Sequence, residues 1–147
     1  MACPFFLPTE RLIDGAWLHI ERLPLGCGWS GHCTAPGHAG SVPSPQELQE
    51  FCNLGYAESC TRLPQDRPWD SVRFAAKIVN TNAPRILLRY VCERSHRPAE
   101  DGTLEFDATA GRWDCPHRDP CVQRMAECFL ESFVEKKKRR EIERAAS

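Results

Sequence analysis

Cys33, Cys52 and Cys60, with Cys3 or Cys27 as a fourth, are the residues whose type and spacing point to chemistry in this chain. Gathered thiolates bind soft metal ions and clusters. The intervals are Cys27-x5-Cys33, Cys33-x18-Cys52 and Cys52-x7-Cys60. Zinc ribbons and fingers use close pairs, about two to four residues apart, because one turn then delivers two thiolates to a small tetrahedral ion. No such pair occurs here. An iron–sulfur cluster is larger and draws its ligands from separate loops at wider, variable spacings. The spacing therefore predicts a [4Fe–4S] cluster on four cysteines of the N-terminal half, with structural zinc as the alternative.

Two residues compete for the fourth position. Cys27 lies in Gly26-Cys27-Gly28-Trp29-Ser30-Gly31-His32-Cys33, where glycines allow close backbone approach and offer N–H groups to sulfur. Cys3 begins Cys3-Pro4-Phe5-Phe6, an apolar stretch that restricts solvent. Cys3 is the expected ligand and Cys27 the alternative. His32 and His38 could each replace a thiolate, but the paired Cys-x-His units of a Rieske centre are absent. Trp29, Phe51 and Tyr56 are the expected shielding aromatics.

A second cysteine group, Cys115, His117, Cys121 and Cys128, sits near the start of a helical pattern. Cys121 and Cys128 are seven positions apart on the helix, a rise of ~10.5 Å, whereas two thiolates on one zinc stand ~4 Å apart. One straight helix cannot readily supply both. Cys121 and Cys128 are expected to pack on a helix flank, and Cys92 to lie in the core.

The elements that must position the site divide near residue 68. Residues 1–68 form a loop-rich, cysteine-bearing half and residues 69–147 a sheet-and-helix half of a single α+β domain. Pro4, Pro8, Pro24, Pro36 and the glycines of the first forty residues exclude long helices, leaving room for a short strand at Ala16 to Ile20. Ser44-Pro45-Gln46-Glu47 carries a capping box with proline at the first helical position, so a short helix is expected to end near Asn53, with Cys52 at its end.

From Ser71 the apolar period becomes two. Val72, Phe74, Ala76 and Ile78 share one face, a turn follows at Asn80 to Pro84, and Ile86, Leu88, Tyr90 and Cys92 share the next. A polar loop from Ser95 to Gly102 and a short strand at Thr103 to Asp107 complete an expected three-stranded antiparallel meander. Asp119-Pro120 then opens a long C-terminal helix with an apolar stripe of Val122, Met125, Ala126, Phe129 and Phe133.

Charge separates the same halves. Residues 1–70 hold four Arg and no Lys against eight acids, and the remainder fifteen bases against twelve acids. An acidic surround at the cysteines disfavours nucleic acid. The basic run Lys136-Lys137-Lys138-Arg139-Arg140 is flanked by Glu135, Glu141 and Glu143 and reads as a solvated helix end. The start Met-Ala-Cys-Pro-Phe-Phe-Leu-Pro lacks a basic leader, and no apolar run approaches ~20 residues. A cytoplasmic chain without membrane contact is expected, in which free thiols persist.

The segment Cys52-Asn53-Leu54-Gly55-Tyr56-Ala57-Glu58-Ser59-Cys60-Thr61-Arg62-Leu63-Pro64, with Arg89-Tyr90-Val91 and Gly102-Thr103-Leu104-Glu105-Phe106, resembles a group of small bacterial cysteine-rich proteins of iron–sulfur type. The resemblance spans most of the chain. It implies a bacterial cytosolic protein with a thiolate site and says nothing of a substrate. The close-spaced ferredoxin motifs and the Cys-x3-Cys-x2-Cys set of radical enzymes are absent, as are nucleophile elbows, phosphate loops and His-Glu-x-x-His. A thiol enzyme would have only Cys33 beside His32, or Cys115 near His117, as nucleophile and base. The expectation is electron transfer or redox sensing with a protein redox partner or as a complex subunit, without turnover by the isolated chain. The alternative is a zinc-stapled interaction or accessory module.

Overall fold

The computed structural model describes residues 2–12, 17, 23–54, 59–80 and 82–146. Tyr56, and all but Trp17 of the strand expected at Ala16 to Ile20, lie outside them. Strands β1 (Phe6–Arg11) and β2 (Trp29–Cys33) pair antiparallel, with a register shift between Pro8 and Glu10. The N-terminal half is thus built on a small sheet as well as on loops. Gly31 makes the pairing possible, since a Cβ there would stand 2.0 Å from the Leu7 carbonyl oxygen.

Helix α1 (Pro45–Glu47) forms where its cap predicts. Ser44 accepts from the Glu47 N–H at 3.2 Å, and the Glu47 carboxylate accepts from the Ser44 N–H at 2.9 Å. The helix continues as a π-helical turn, Leu48–Cys52, which widens the backbone just where Cys52 leaves it.

The expected three-stranded meander is corrected to a four-stranded antiparallel sheet in the order β3-β4-β5-β6, so that only the α+β class stands. Its strands are β3 (Ser71–Val79), β4 (Arg85–Arg94), β5 (Arg97–Asp107) and β6 (Arg112–Trp113). The supposed polar loop Ser95 to Gly102 is mostly strand. Ser95 and His96 alone turn the chain, with φ of 52° and 61°, as a two-residue hairpin whose twist suits the flanking strands requires. Arg97 to Gly102 are poor strand formers, but pairing with β4 outweighs local propensity. Gly102 faces Tyr90 across the ladder, and a Cβ there would stand 2.9 Å from the tyrosine ring.

Helix α2 (Pro120–Ala146) covers the sheet. Asp119 caps it, accepting from the N–H groups of Cys121 and Val122 at 2.8 and 3.2 Å. The predicted stripe supplies the contact: Val122, Met125 and Ala126 are fully buried against Val72, Leu88 and Cys92, and Phe129 stacks at 5.7 Å on Phe74. Arg124 fastens the helix to β1 through the Pro8 and Thr9 carbonyls. No helix among the described residues is long and apolar enough to cross a membrane.

Candidate functional site

Cys3, Cys33, Cys52 and Cys60 all line one cavity of about 20 Å³, room for roughly one water. Each arrives on a different element. Cys3 precedes β1, and its N–H donates to the Cys52 carbonyl at 3.1 Å. Cys33 ends β2, where its N–H donates to the Ser41 carbonyl at 2.8 Å and its own carbonyl accepts from Gly40 at 2.9 Å. Cys52 closes the π-helical turn. Cys60 starts a turn whose Leu63 N–H donates to the Cys60 carbonyl.

Asn53 holds two of these elements in register. Fully buried, it accepts from the Trp29 N–H at 3.1 Å and donates through Nδ2 to the carbonyls of Trp29 and Leu48, both at 3.0 Å. The strand carrying Cys33 is thereby tied to the turn carrying Cys52. In sequence Asn53 shows only as a helix-ending residue, since nothing local marks a side chain that satisfies a strand beside it.

The electrostatics reflect the convergence. Burial, chiefly, pushes the Cys3 thiol up to about 12, and proximity to Cys33 and Cys60 raises it further against hydrogen bonds from the Phe5 and Phe6 backbone. Cys52 is likewise pushed up to about 12, first by burial and then by Cys3, Cys60 and Cys33. A cation placed among the four would offset the repulsion that their thiolates would otherwise exert on one another. Backbone N–H groups already point at sulfur: those of Phe5 and Phe6 at Cys3, and that of Ala35 at Cys33, at 3.5 Å.

Phe5, Phe6, Ala35, Pro43, Phe51 and Leu63 give the cavity its apolar lining. Of the expected shielding aromatics, Phe51 is there. Trp29 is instead in the core, beneath the Arg124 guanidinium at 5.7 Å. Among the described residues, Arg62 is the one cation on the lining. It pairs with Glu47 of the capping box and lies within electrostatic reach of Cys33 and Cys60.

Cys27, the alternative fourth ligand, is elsewhere. It is buried against Ser132 of α2, with sulfur and hydroxyl 3.6 Å apart. His32 and His38 are exposed. His32 and Cys33 are neighbours on β2, whose alternation sends adjacent side chains to opposite faces, so they cannot act as base and nucleophile. Cys115 is exposed, whereas the His117 ring is buried between Trp69 and Tyr90. Its Nδ1 accepts from the Asp119 N–H at 2.9 Å, which leaves Nε2 to donate to Glu100 at 2.8 Å. Both nitrogens are committed. Cys92, Cys121 and Cys128 are buried in the core, as their positions on strand and helix predict.

Among the described residues, no group of three or more His, Cys, Asp and Glu side chains is drawn together so as to hold a metal ion as it stands. Uptake of a cluster would therefore require the four cysteine side chains to readjust around it. The donor chemistry suits one: four sulfurs, N–H groups on two of them, an apolar wall and one guanidinium. Compared with protein-family models, curated proteins and solved structures, the chain matches none.

Proposed function

We propose that the chain holds a [4Fe–4S] cluster on Cys3, Cys33, Cys52 and Cys60 and serves in electron transfer or redox sensing. The observation that carries this reading is the meeting of four thiols, distant in sequence and delivered by four separate elements, around one cavity. Ligands arriving singly suit a cluster better than a lone zinc ion, which is usually met by close pairs.

When bound, the cluster would accept or return one electron. The chain supplies everything else. The four thiols become thiolates on binding and release their protons, so burial that keeps Cys3 and Cys52 protonated in the metal-free chain turns into a strong preference for a cationic guest. The N–H groups of Phe5, Phe6 and Ala35 withdraw charge from sulfur, and Arg62 offsets the negative charge of the loaded site; both favour the reduced form. Phe5, Phe6, Phe51 and Leu63 exclude water that would attack the cluster. With four cysteine ligands no coordination position is left for a substrate, so the chain would pass electrons to a protein partner or act as a subunit. Free thiols and this chemistry suit the cytoplasm.

The test is iron and acid-labile sulfide analysis, with a visible spectrum, on protein purified without oxygen. About four iron and four sulfide per chain, with absorption bleached by dithionite and lost in Cys52→Ala, would support the reading. Zinc without colour would replace it with a structural staple, and metal-free protein would end both.

A further inference from the structure

The C-terminal part of α2 is exposed with respect to the described residues. From Lys137 to Ala146 every residue is exposed, and Ile142 stands 70% open to solvent. A helical extension of this length is marginal in water without a packing partner.

The same helix carries a vacant groove nearer its middle. A cavity of about 400 Å³ runs along it, floored by Phe106, Leu130 and Val134, walled by Glu127, Glu131 and Glu135, and closed at one end by Lys138. Those glutamates recur every four residues and so lie along one face. Continuing in the same steps, Leu130 and Val134 lead through Lys138 to Ile142. At the Lys138 end of the groove the charge reverses: Lys136 to Arg140 and Arg144 are basic. One helix thus offers an acidic, apolar-floored groove in its middle and a basic end bearing an exposed isoleucine.

We infer that the occupant of the groove is a second copy of this chain, its α2 running antiparallel so that each basic end, with Ile142, lies along the other's acidic groove. A two-fold pair satisfies both halves at once, because the same patch serves as donor and acceptor. Antiparallel alignment is required, since a parallel pair would set glutamate against glutamate and the basic run against itself. Of the charges involved, Glu127 meets Arg124, Glu135 meets Arg11 and Arg139, and Lys137 meets Glu141 within the chain. These are partly exposed pairs that are readily exchanged. The inference is independent of any metal.

Sedimentation equilibrium of the full chain over a concentration series, at low and high salt, tests it. The expected result is a species of twice the 16.7 kDa chain mass that dissociates as salt rises, and that Ile142→Glu converts to monomer with unchanged circular dichroism in its folded core. Chains carrying Glu127→Lys with Glu131→Lys, and chains carrying Arg140→Glu with Arg144→Glu, should each be monomeric alone and pair when mixed. A monomer at every concentration, or a dimer indifferent to Ile142→Glu and to both charge reversals, overturns the inference.

Discussion

Two groups of cysteines in this protein are withdrawn from water, one partly and one fully buried, and desolvation alone does not distinguish them. Cys3 and Cys52 in the N-terminal cavity, and Cys92 and Cys128 between sheet and helix, are all pushed up to about 12, in each case chiefly by desolvation. The secondary causes differ. Cys3 and Cys52 are raised further by other thiols, whereas Cys92 is raised by Glu100 and Asp119, and Cys128 mainly by Glu131, Cys27 and Glu127 against Arg124. A site is marked by like groups converging on a space they share. A core cysteine meets apolar side chains and whatever charge happens to lie near.

The sharpest way to break this comparison is by substitution across it. Cys3→Ala or Cys52→Ala should abolish stoichiometric iron and sulfide, whereas Cys128→Ala and Cys27→Ser should retain both in anaerobically prepared protein. Equal loss from both groups would remove the distinction.

Alkaline pH separates the groups in a second way. In the metal-free chain all four thiols stay protonated when folded but ionise near their ordinary value of 9.0 when unfolded. Their contribution is complete below about pH 9 and is lost as pH rises towards 12. Denaturant unfolding of the metal-free chain should therefore show falling stability across that window. With the proposed cluster bound, Cys3 and Cys52 would enter the folded state as thiolates, so stability should instead rise with pH up to about 9, and the core thiols Cys92, Cys121 and Cys128 would weaken it above.

Asn53→Ala should cost about 3 kcal/mol in chemical denaturation, because it strands the Trp29 N–H in the interior and removes the side-chain hydrogen bonds to the Trp29 and Leu48 carbonyls, of which Leu48 keeps only the backbone N–H of residue 53. It should also lower cluster occupancy, though Asn53 is not a ligand, since Cys33 and Cys52 lose their common brace. Ser44→Ala is the mildest change. Loss of the cap should cost about 1 kcal/mol and loosen α1 without emptying the site.

Wherever a signal is local, the chain declares its structure. The capping box at Ser44, the period-two face of Val72, Phe74, Ala76 and Ile78, and the stripe from Val122 to Phe133 are read from neighbours a few residues apart. The β4–β5 hairpin is not, because Ser95-His96 lacks the Asn-Gly signature of its turn and Pro98 to Gly102 have little strand propensity of their own. Strand β6, at two residues, is too short to show any period. The pairing of β1 with β2 depends on Gly31 meeting Leu7, a contact across a gap in sequence that no window spans.

The candidate site divides along the same line. Its ingredients were determined by the sequence alone: thiols too widely spaced for a zinc pair, set in an acidic, loop-rich half, with Cys52 at a helix end. Only the tertiary structure decided that Cys3 joins Cys33, Cys52 and Cys60 while Cys27 turns to Ser132, that Phe5, Phe6 and Leu63 rather than Trp29 line the space, and that Asn53 and Arg62 belong beside it. The physical reason is that spacing along a chain limits which residues can meet within a turn or a helix. Which residues meet between elements is settled by how their backbone groups find partners and how their apolar faces pack.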